Sequence, residues 1–185
     1  MDMINEKVEG VKEAEKVGKA FMWSHALSGG GGFMMMQATV ASYFAIFMTD
    51  TFGVPAGVLS MIVLIGSLWD AINDPMMGSI ADFTKSRWGR YRPYFIVPPV
   101  LLTIAAYFLF LNPQGLSTNQ KIIYCAVFYI IFQMLVTVCT MPQMAVLPAH
   151  VKNGNERNKV IILGTIFVAL AFTISTSFYS HLTYF

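Results

Sequence analysis

The chain has 185 residues, of which 56% are hydrophobic and only 12% are charged. A soluble globular domain typically carries about 25% charged residues, so this composition argues against a soluble fold and indicates a membrane protein. The formal net charge of +2 is too small to indicate a nucleic-acid-binding protein, because that class concentrates many basic residues on one face.

The first 22 residues mix acidic and basic side chains and contain no long apolar run. A secretory signal peptide needs an apolar core and a small-residue cleavage site, and the sequence has neither. We therefore predict a short cytoplasmic leader over residues 1–22, followed by transmembrane helices I–V over residues 23–185.

Five apolar stretches follow the leader, and each is close to or above the roughly 20 residues that cross a bilayer as a helix. Clusters of turn-forming residues separate them. The pattern predicts an all-α membrane protein with five transmembrane helices. The predicted spans are residues 24–50, 57–83, 92–112, 120–147 and 158–182.

The placement of Lys and Arg predicts the orientation of these spans. If the N-terminus is inside, every Lys and Arg except Lys121 lies in the leader or near a loop on the inner side. Cytoplasmic segments carry an excess of basic residues. We therefore predict a multi-pass protein of the cell membrane with a cytoplasmic N-terminus.

Four consecutive glycines, Gly29 to Gly32, lie near the start of the first span. Glycine weakens a helix because its backbone has more freedom to lose. The run favours one of two interpretations, which are close packing against a neighbouring helix or a locally unwound segment that moves.

The centre of the second span carries two carboxylates, Asp70 and Asp74, on one helix face because they are four residues apart. Asn73 lies beside both. A charged residue at this depth costs about 2.5–3.5 kcal/mol, and no Lys or Arg lies in the interior of a predicted span. Such a pair binds a proton or shares a cation. The sequence therefore predicts a Na⁺ or H⁺ site, unless a basic partner comes from outside this chain.

A loop motif follows at the cytoplasmic end of the same span, where an acidic residue meets glycines and a basic cluster. Basic residues here anchor the topology. We add the hypothesis of a gating ion pair that involves Asp82. The residues of this motif are Gly78, Asp82, Arg87, Gly89, Arg90 and Arg92.

Two segments around these residues resemble one transporter family. Residues 69–78 read Trp-Asp-Ala-Ile-Asn-Asp-Pro-Met-Met-Gly, and residues 86–94 read Ser-Arg-Trp-Gly-Arg-Tyr-Arg-Pro-Tyr. Both resemble the glycoside–pentoside–hexuronide:cation symporters of the major facilitator superfamily. The resemblance implies the N-terminal part of a twelve-helix bundle, truncated before helix VI. It also implies symport of a sugar or glycoside with Na⁺ or H⁺ by alternating access.

The resemblance further implies residue roles. Cation ligands of the family come from helix II and from one hydroxyl in helix IV, and the matching positions are Asp70, Asn73, Asp74 and Thr137. Melibiose-type members have sugar-binding carboxylates where this chain has Met34 and Thr140. A melibiose-like galactoside is therefore not favoured, and another glycoside, a pentoside, a uronide or a non-sugar substrate stays open. The candidate substrate-binding residues are Met34, Thr140, Gln133 and Tyr129.

Nothing in the sequence supports an enzyme, because it shows no nucleophile with a nearby base, no phosphate loop and no metal-ligand cluster. No cofactor is predicted beyond the coupling cation. The predicted partners are a small sugar or glycoside, a monovalent cation and the lipid bilayer, without nucleic acid. Because substrate sites of such transporters lie between two halves, the alternatives are a non-transporting membrane fragment or a subunit that needs a second chain. A lipid- or ion-binding membrane protein that keeps the fold is a further alternative.

Overall fold

The structure is a computed structural model that describes residues 16–87 and 89–182, so most of the predicted leader lies outside the described residues. In these two ranges the chain is helical and has no β-strand. Five helices are long and apolar enough to cross a membrane, which confirms the predicted fold class. They are α1 (Lys19–Thr51), α2 (Ala56–Phe83), α3 (Arg92–Leu109), α4 (Thr118–His150) and α5 (Gly154–Leu182).

The helix ends differ from the predicted ones mainly between α4 and α5. We predicted a break from Pro148 to residue 158, but α4 continues to His150 and α5 begins at Gly154. The side-chain oxygen of Asn153 accepts hydrogen bonds from the backbone N–H groups of Asn155 and Glu156, at 3.0 and 3.5 Å. Asn at this position satisfies N–H groups that have no partner inside the helix, so Asn153 rather than the proline marks the new helix start.

The chain divides into two compact units, residues 1–36 with 144–185 and residues 37–143. In the first unit, the glycine run lies in a π-helical stretch of α1, Ala26–Phe33, which packs mainly against α5. Gly29 is buried, whereas Gly32 is exposed. The hydroxyl of Ser175 on α5 donates a hydrogen bond to the Met35 carbonyl at 3.4 Å. The π geometry of this stretch was not predicted from the sequence.

The second unit holds the rest of α1, all of α2 and α3, and α4 as far as Gln143. Lys121, the basic residue that we predicted on the outer side, donates a hydrogen bond from Nζ to the Phe52 carbonyl at 2.9 Å. Its charge therefore sits at the start of α4, away from the middle of the helix.

Large apolar side chains along α2 are exposed, with Met61, Leu64, Leu68 and Ile72 each between 59% and 66% accessible. A contiguous apolar surface of this kind is unfavourable in water and marks a contact with lipid or with other protein. The exposed residues are those that the sequence placed inside the second span.

Candidate cation site

Helices α2 and α4 pack side by side with three contacts in one constant register. Each α4 residue lies 63 residues after its α2 partner in the hydrogen-bonded pairs, and the same offset holds for the ring contact below. Successive members are four residues apart, which is about one helical turn. The two helices therefore run in the same direction, and the contacts form consecutive layers. The three pairs are Gly66 with Tyr129, Asp70 with Gln133, and Asp74 with Thr137.

The first carboxylate, Asp70, has its two oxygens in different environments. Gln133 Nε2 donates a hydrogen bond to Asp70 Oδ2 at 2.8 Å. Asp70 Oδ1 is buried and has no hydrogen-bond partner among the described residues. One oxygen is therefore held by α4, and the other has no donor among the described residues.

The second carboxylate, Asp74, is held one turn further along. Thr137 Oγ1 donates a hydrogen bond to Asp74 Oδ1 at 2.9 Å. Thr137 is only 3% exposed, although its side chain is polar. The contact brings Asp74 together with Thr137, the helix IV position that the resemblance implies as a cation ligand, and the ligand roles stay a prediction.

Asn73, between the two carboxylates in the sequence, has a buried amide without a hydrogen-bond partner among the described residues. The residue is 1% exposed, and neither Oδ1 nor Nδ2 of its amide has a hydrogen-bond partner among the described residues. Leaving a buried polar group unsatisfied costs about 1–3 kcal/mol. A cation offers the oxygen atom a partner, and hard cations prefer carboxylate and amide oxygens.

No positive charge compensates the two carboxylates within the part of the chain that the structure describes. The ion pairs there join Arg90 to Asp82 and Lys159 to Glu156, and neither includes Asp70 or Asp74. The donors that Asp70 and Asp74 receive, an amide and a hydroxyl, are both neutral. The residues present therefore fit a monovalent cation or a proton, which would supply the missing charge.

The layer above the carboxylates consists of Gly66 and the buried ring of Tyr129. A Cβ atom added to Gly66 would lie 2.6 Å from Tyr129 Cε1. The Phe44 ring stacks on the Tyr129 ring, at a centroid distance of 4.6 Å and an interplanar angle of 17°. Only glycine lets α2 approach this ring so closely.

We predict that Gly66→Ala destabilises the chain by about 1–3 kcal/mol, because the added methyl group forces the Tyr129 ring or helix α4 to move. Thermal unfolding in lipid nanodiscs measures the effect. Gly57→Ala is the matched control on the same helix, since nothing lies within 4 Å of a Cβ at Gly57. Equal unfolding temperatures for the two variants would contradict the tight contact.

The four substrate candidates differ in their contacts. Gln133 contacts the acidic pair, and Tyr129 lies one turn from it. Thr140 donates its hydroxyl to the Val136 carbonyl at 3.0 Å, a bond within its own helix. Met34 belongs to the other unit, where it is half-buried. Their substrate roles stay predictions.

The loop motif contains the ion pair that we hypothesised. Arg90 Nη1 lies 3.8 Å from Asp82 Oδ1, and the side chains are 52% and 65% exposed. Exposed pairs of this kind contribute about 0–1 kcal/mol, so the pair suits a contact that opens easily.

Gly89 has a positive φ of 100°, which glycine adopts at little cost. Arg87 and Arg92 are exposed, and Gly78 has nothing within 4 Å of an added Cβ.

Sequence reasoning missed a second link between α2 and α3. The hydroxyls of Thr84 and Tyr94 share a hydrogen bond at 2.6 Å. Both residues lie beside the loop motif, but nothing in the spacing of a threonine and a tyrosine signals such a contact. The link fixes the ends of both helices next to the Asp82–Arg90 pair.

Comparison with known proteins identifies the family. A family model described as MFS/sugar transport protein matches residues 26–183. The chain belongs to this family. The match confirms the resemblance to sugar:cation symporters of the major facilitator superfamily, and it makes the chain part of a transporter family rather than an enzyme family.

Relatives in bacteria agree with this assignment. The chain is 32% identical over 168 residues to the uncharacterized symporter YnaJ of Bacillus subtilis, covering 91% of this chain and 35% of that protein. It is 40% identical over 106 residues to the inner membrane symporter YicJ of Escherichia coli, covering 57% and 23%. It is 31% identical over 127 residues to the isoprimeverose transporter of Lactiplantibacillus pentosus, covering 69% and 26%. The chain thus matches about a third or less of each relative's length.

Proposed function

We propose that this chain carries the cation site of a cation-coupled sugar or glycoside symporter of the cell membrane. The observation that carries the proposal is the pair Asp70 and Asp74 on α2. Among the described residues, the pair receives neutral donors from α4, and buried oxygens at Asp70 and Asn73 have no partner. The family and the named relatives support symport. The isoprimeverose transporter supports a glycoside as the class of substrate.

The chemistry of coupling follows from the charge of this site. Two uncompensated carboxylates in a membrane are unfavourable, so a cation that binds them lowers the free energy of the helix arrangement that holds them together. A ligand shifts a conformational equilibrium only by its difference in affinity for the two states. Asp70, Asn73, Asp74 and Thr137 would bind the cation in the state that also accepts the sugar, so the two cross together.

The orientation is part of the proposal. In the predicted topology, all Lys and Arg except Lys121 lie on the same side as the N-terminus, and an excess of basic residues supports a cytoplasmic location for that side. The Asp82–Arg90 pair would then lie at the inner face, where it would open when the transporter releases substrate into the cell.

A second candidate is a chain that binds the cation but transports only together with further helices, from the same protein or from a partner chain. The observation that favours it is the coverage of the relatives, which is 35% for YnaJ and less for the other two. Substrate sites of this class of transporter form between two halves, whereas all the proposed cation ligands lie within residues 37–143.

Uptake into membrane vesicles tests both candidates. A Na⁺ gradient or a pH gradient is imposed on vesicles that contain only this chain, and the accumulation of labelled glycosides is measured. Asp74→Asn is the negative control. Uptake that one gradient drives and the variant lacks supports the symporter and identifies the ion. Cation binding without uptake supports the second candidate. Absence of both, in folded protein, would reject the cation site.

A further inference from the structure

Gln133 makes the two oxygens of the Asp70 carboxylate different, because it bonds only one of them. Oδ2 accepts the 2.8 Å hydrogen bond from the Gln133 amide, and Oδ1 is buried without a partner among the residues that the structure describes. A carboxylate attached to the helix only through its own side-chain bonds can rotate, so either oxygen could take the position that Oδ1 occupies. The hydrogen bond selects one of these orientations.

The chemical nature of the donor matters as much as its position. A Lys or Arg at this place would neutralise Asp70 and compete with a cation for it. The amide of Gln133 donates a hydrogen bond but carries no charge. It therefore orients the carboxylate and leaves its full negative charge for the cation, as the hydroxyl of Thr137 does at Asp74.

Helix α4 contacts α2 both one turn before and one turn after Gln133. One turn before it, the Tyr129 ring is enclosed by Gly66 and Phe44. One turn after it, Thr137 is bonded to Asp74. Gln133 therefore donates from a helix face whose register cannot shift without breaking one of these contacts.

We propose that Gln133 is a positioning residue of the cation site, which aims Asp70 Oδ1 at the cation by holding Oδ2. This inference rests on the proposed function and assigns Gln133 to the cation site rather than to the sugar site. Its consequence is that the affinity for the cation depends on an α4 side chain that contacts the cation only through Asp70.

The assignment is tested by titrating the purified chain in lipid nanodiscs with Na⁺ at constant pH. Calorimetry measures the heat of binding and gives the Kd. Gln133→Leu is expected to raise the Kd for Na⁺ roughly tenfold or more, because a hydrogen bond to a charged group contributes about 1.5–3 kcal/mol. Gln133→Met is the second variant, since its unbranched side chain keeps a similar length if leucine disturbs the fold. Tyr124→Phe is the control, because it removes an interhelical hydrogen bond of α4, to the Phe108 carbonyl, away from the acidic pair.

The outcomes separate this inference from the proposed function. Weaker Na⁺ binding by both Gln133 variants, with Tyr124→Phe at the wild-type Kd, supports the positioning role. Unchanged Kd values with a lower unfolding temperature in the absence of Na⁺ would overturn it, because they describe a residue that only supports the fold. Failure of both Gln133 variants to fold would overturn it for the same reason. If the wild-type chain bound neither Na⁺ nor, in a pH series, protons at this site, the proposed function on which the inference rests would be removed instead.

Discussion

Replacing Asp74 with asparagine is expected to raise the Kd for the coupling cation at least a hundredfold and to remove cation-driven uptake. The side chain keeps its shape, and its oxygen still accepts the hydrogen bond from Thr137, so the helix contact at 2.9 Å is retained. What disappears is one of the two negative charges of half-buried residues, Asp70 and Asp74. Removing one partner from a buried ionic contact typically costs about 3–5 kcal/mol, which more than accounts for a hundredfold change.

Calorimetric titration of the chain with Na⁺, and with protons by a pH series, measures this effect. Asp50→Asn is the matched control, because Asp50 is an exposed acid at the end of α1 that bonds only its neighbour Thr49 in the described hydrogen bonds. The same chemical change there is expected to leave the Kd unaltered. A normal Kd in Asp74→Asn would show that the cation binds elsewhere.

Asn73→Leu is expected to have effects of opposite sign on stability and on binding. The buried amide has no hydrogen-bond partner among the described residues, and an apolar side chain of similar shape removes that cost. The free energy of unfolding without cation should therefore rise by about 1–3 kcal/mol. The stabilisation that Na⁺ gives to the wild-type chain should vanish, because the amide oxygen is a proposed ligand.

Thermal unfolding with and without Na⁺ checks both parts of this prediction. Asn119→Leu is the control, since Asn119 is exposed at the start of α4 and surface changes usually alter stability by less than about 0.5 kcal/mol. A lower unfolding temperature for Asn73→Leu in the absence of cation would mean that the amide is satisfied by a group other than a cation.

These two variants describe one property of the site. Its polar groups are held in place by contacts with α4, but the contacts do not satisfy them. Unsatisfied polar groups lower the stability of a protein but can raise its affinity for a ligand. In the proposed symport, cation binding would relieve this cost.

The membrane fold could be predicted from the sequence because it depends on local composition. A helix crosses a bilayer when about 20 residues in a row are apolar, and every stretch that met this condition is a helix. The helix boundaries were less predictable. The break after α4 ends at Asn153, where a side chain caps the next helix, whereas the sequence predicted a longer break over residues 148–157.

The acidic residues of the site were also determined by the sequence alone. Asp70 and Asp74 lie on one face because of the helical repeat, and their cost at this depth indicates a ligand whatever the neighbouring helices are. The family resemblance added Thr137, which no local pattern on α4 distinguishes from the other hydroxyls of that helix.

Only the tertiary structure decided which side chains meet the acidic pair. Helix α4 has similar apolar character around most of its circumference, so its periodicity does not reveal the face that turns toward α2. That face is selected by Gly66, whose missing side chain admits the Tyr129 ring. The resulting register brings Gln133 to Asp70 and Thr137 to Asp74. Contacts between residues so far apart in sequence arise from packing, and a single sequence carries no signal for them.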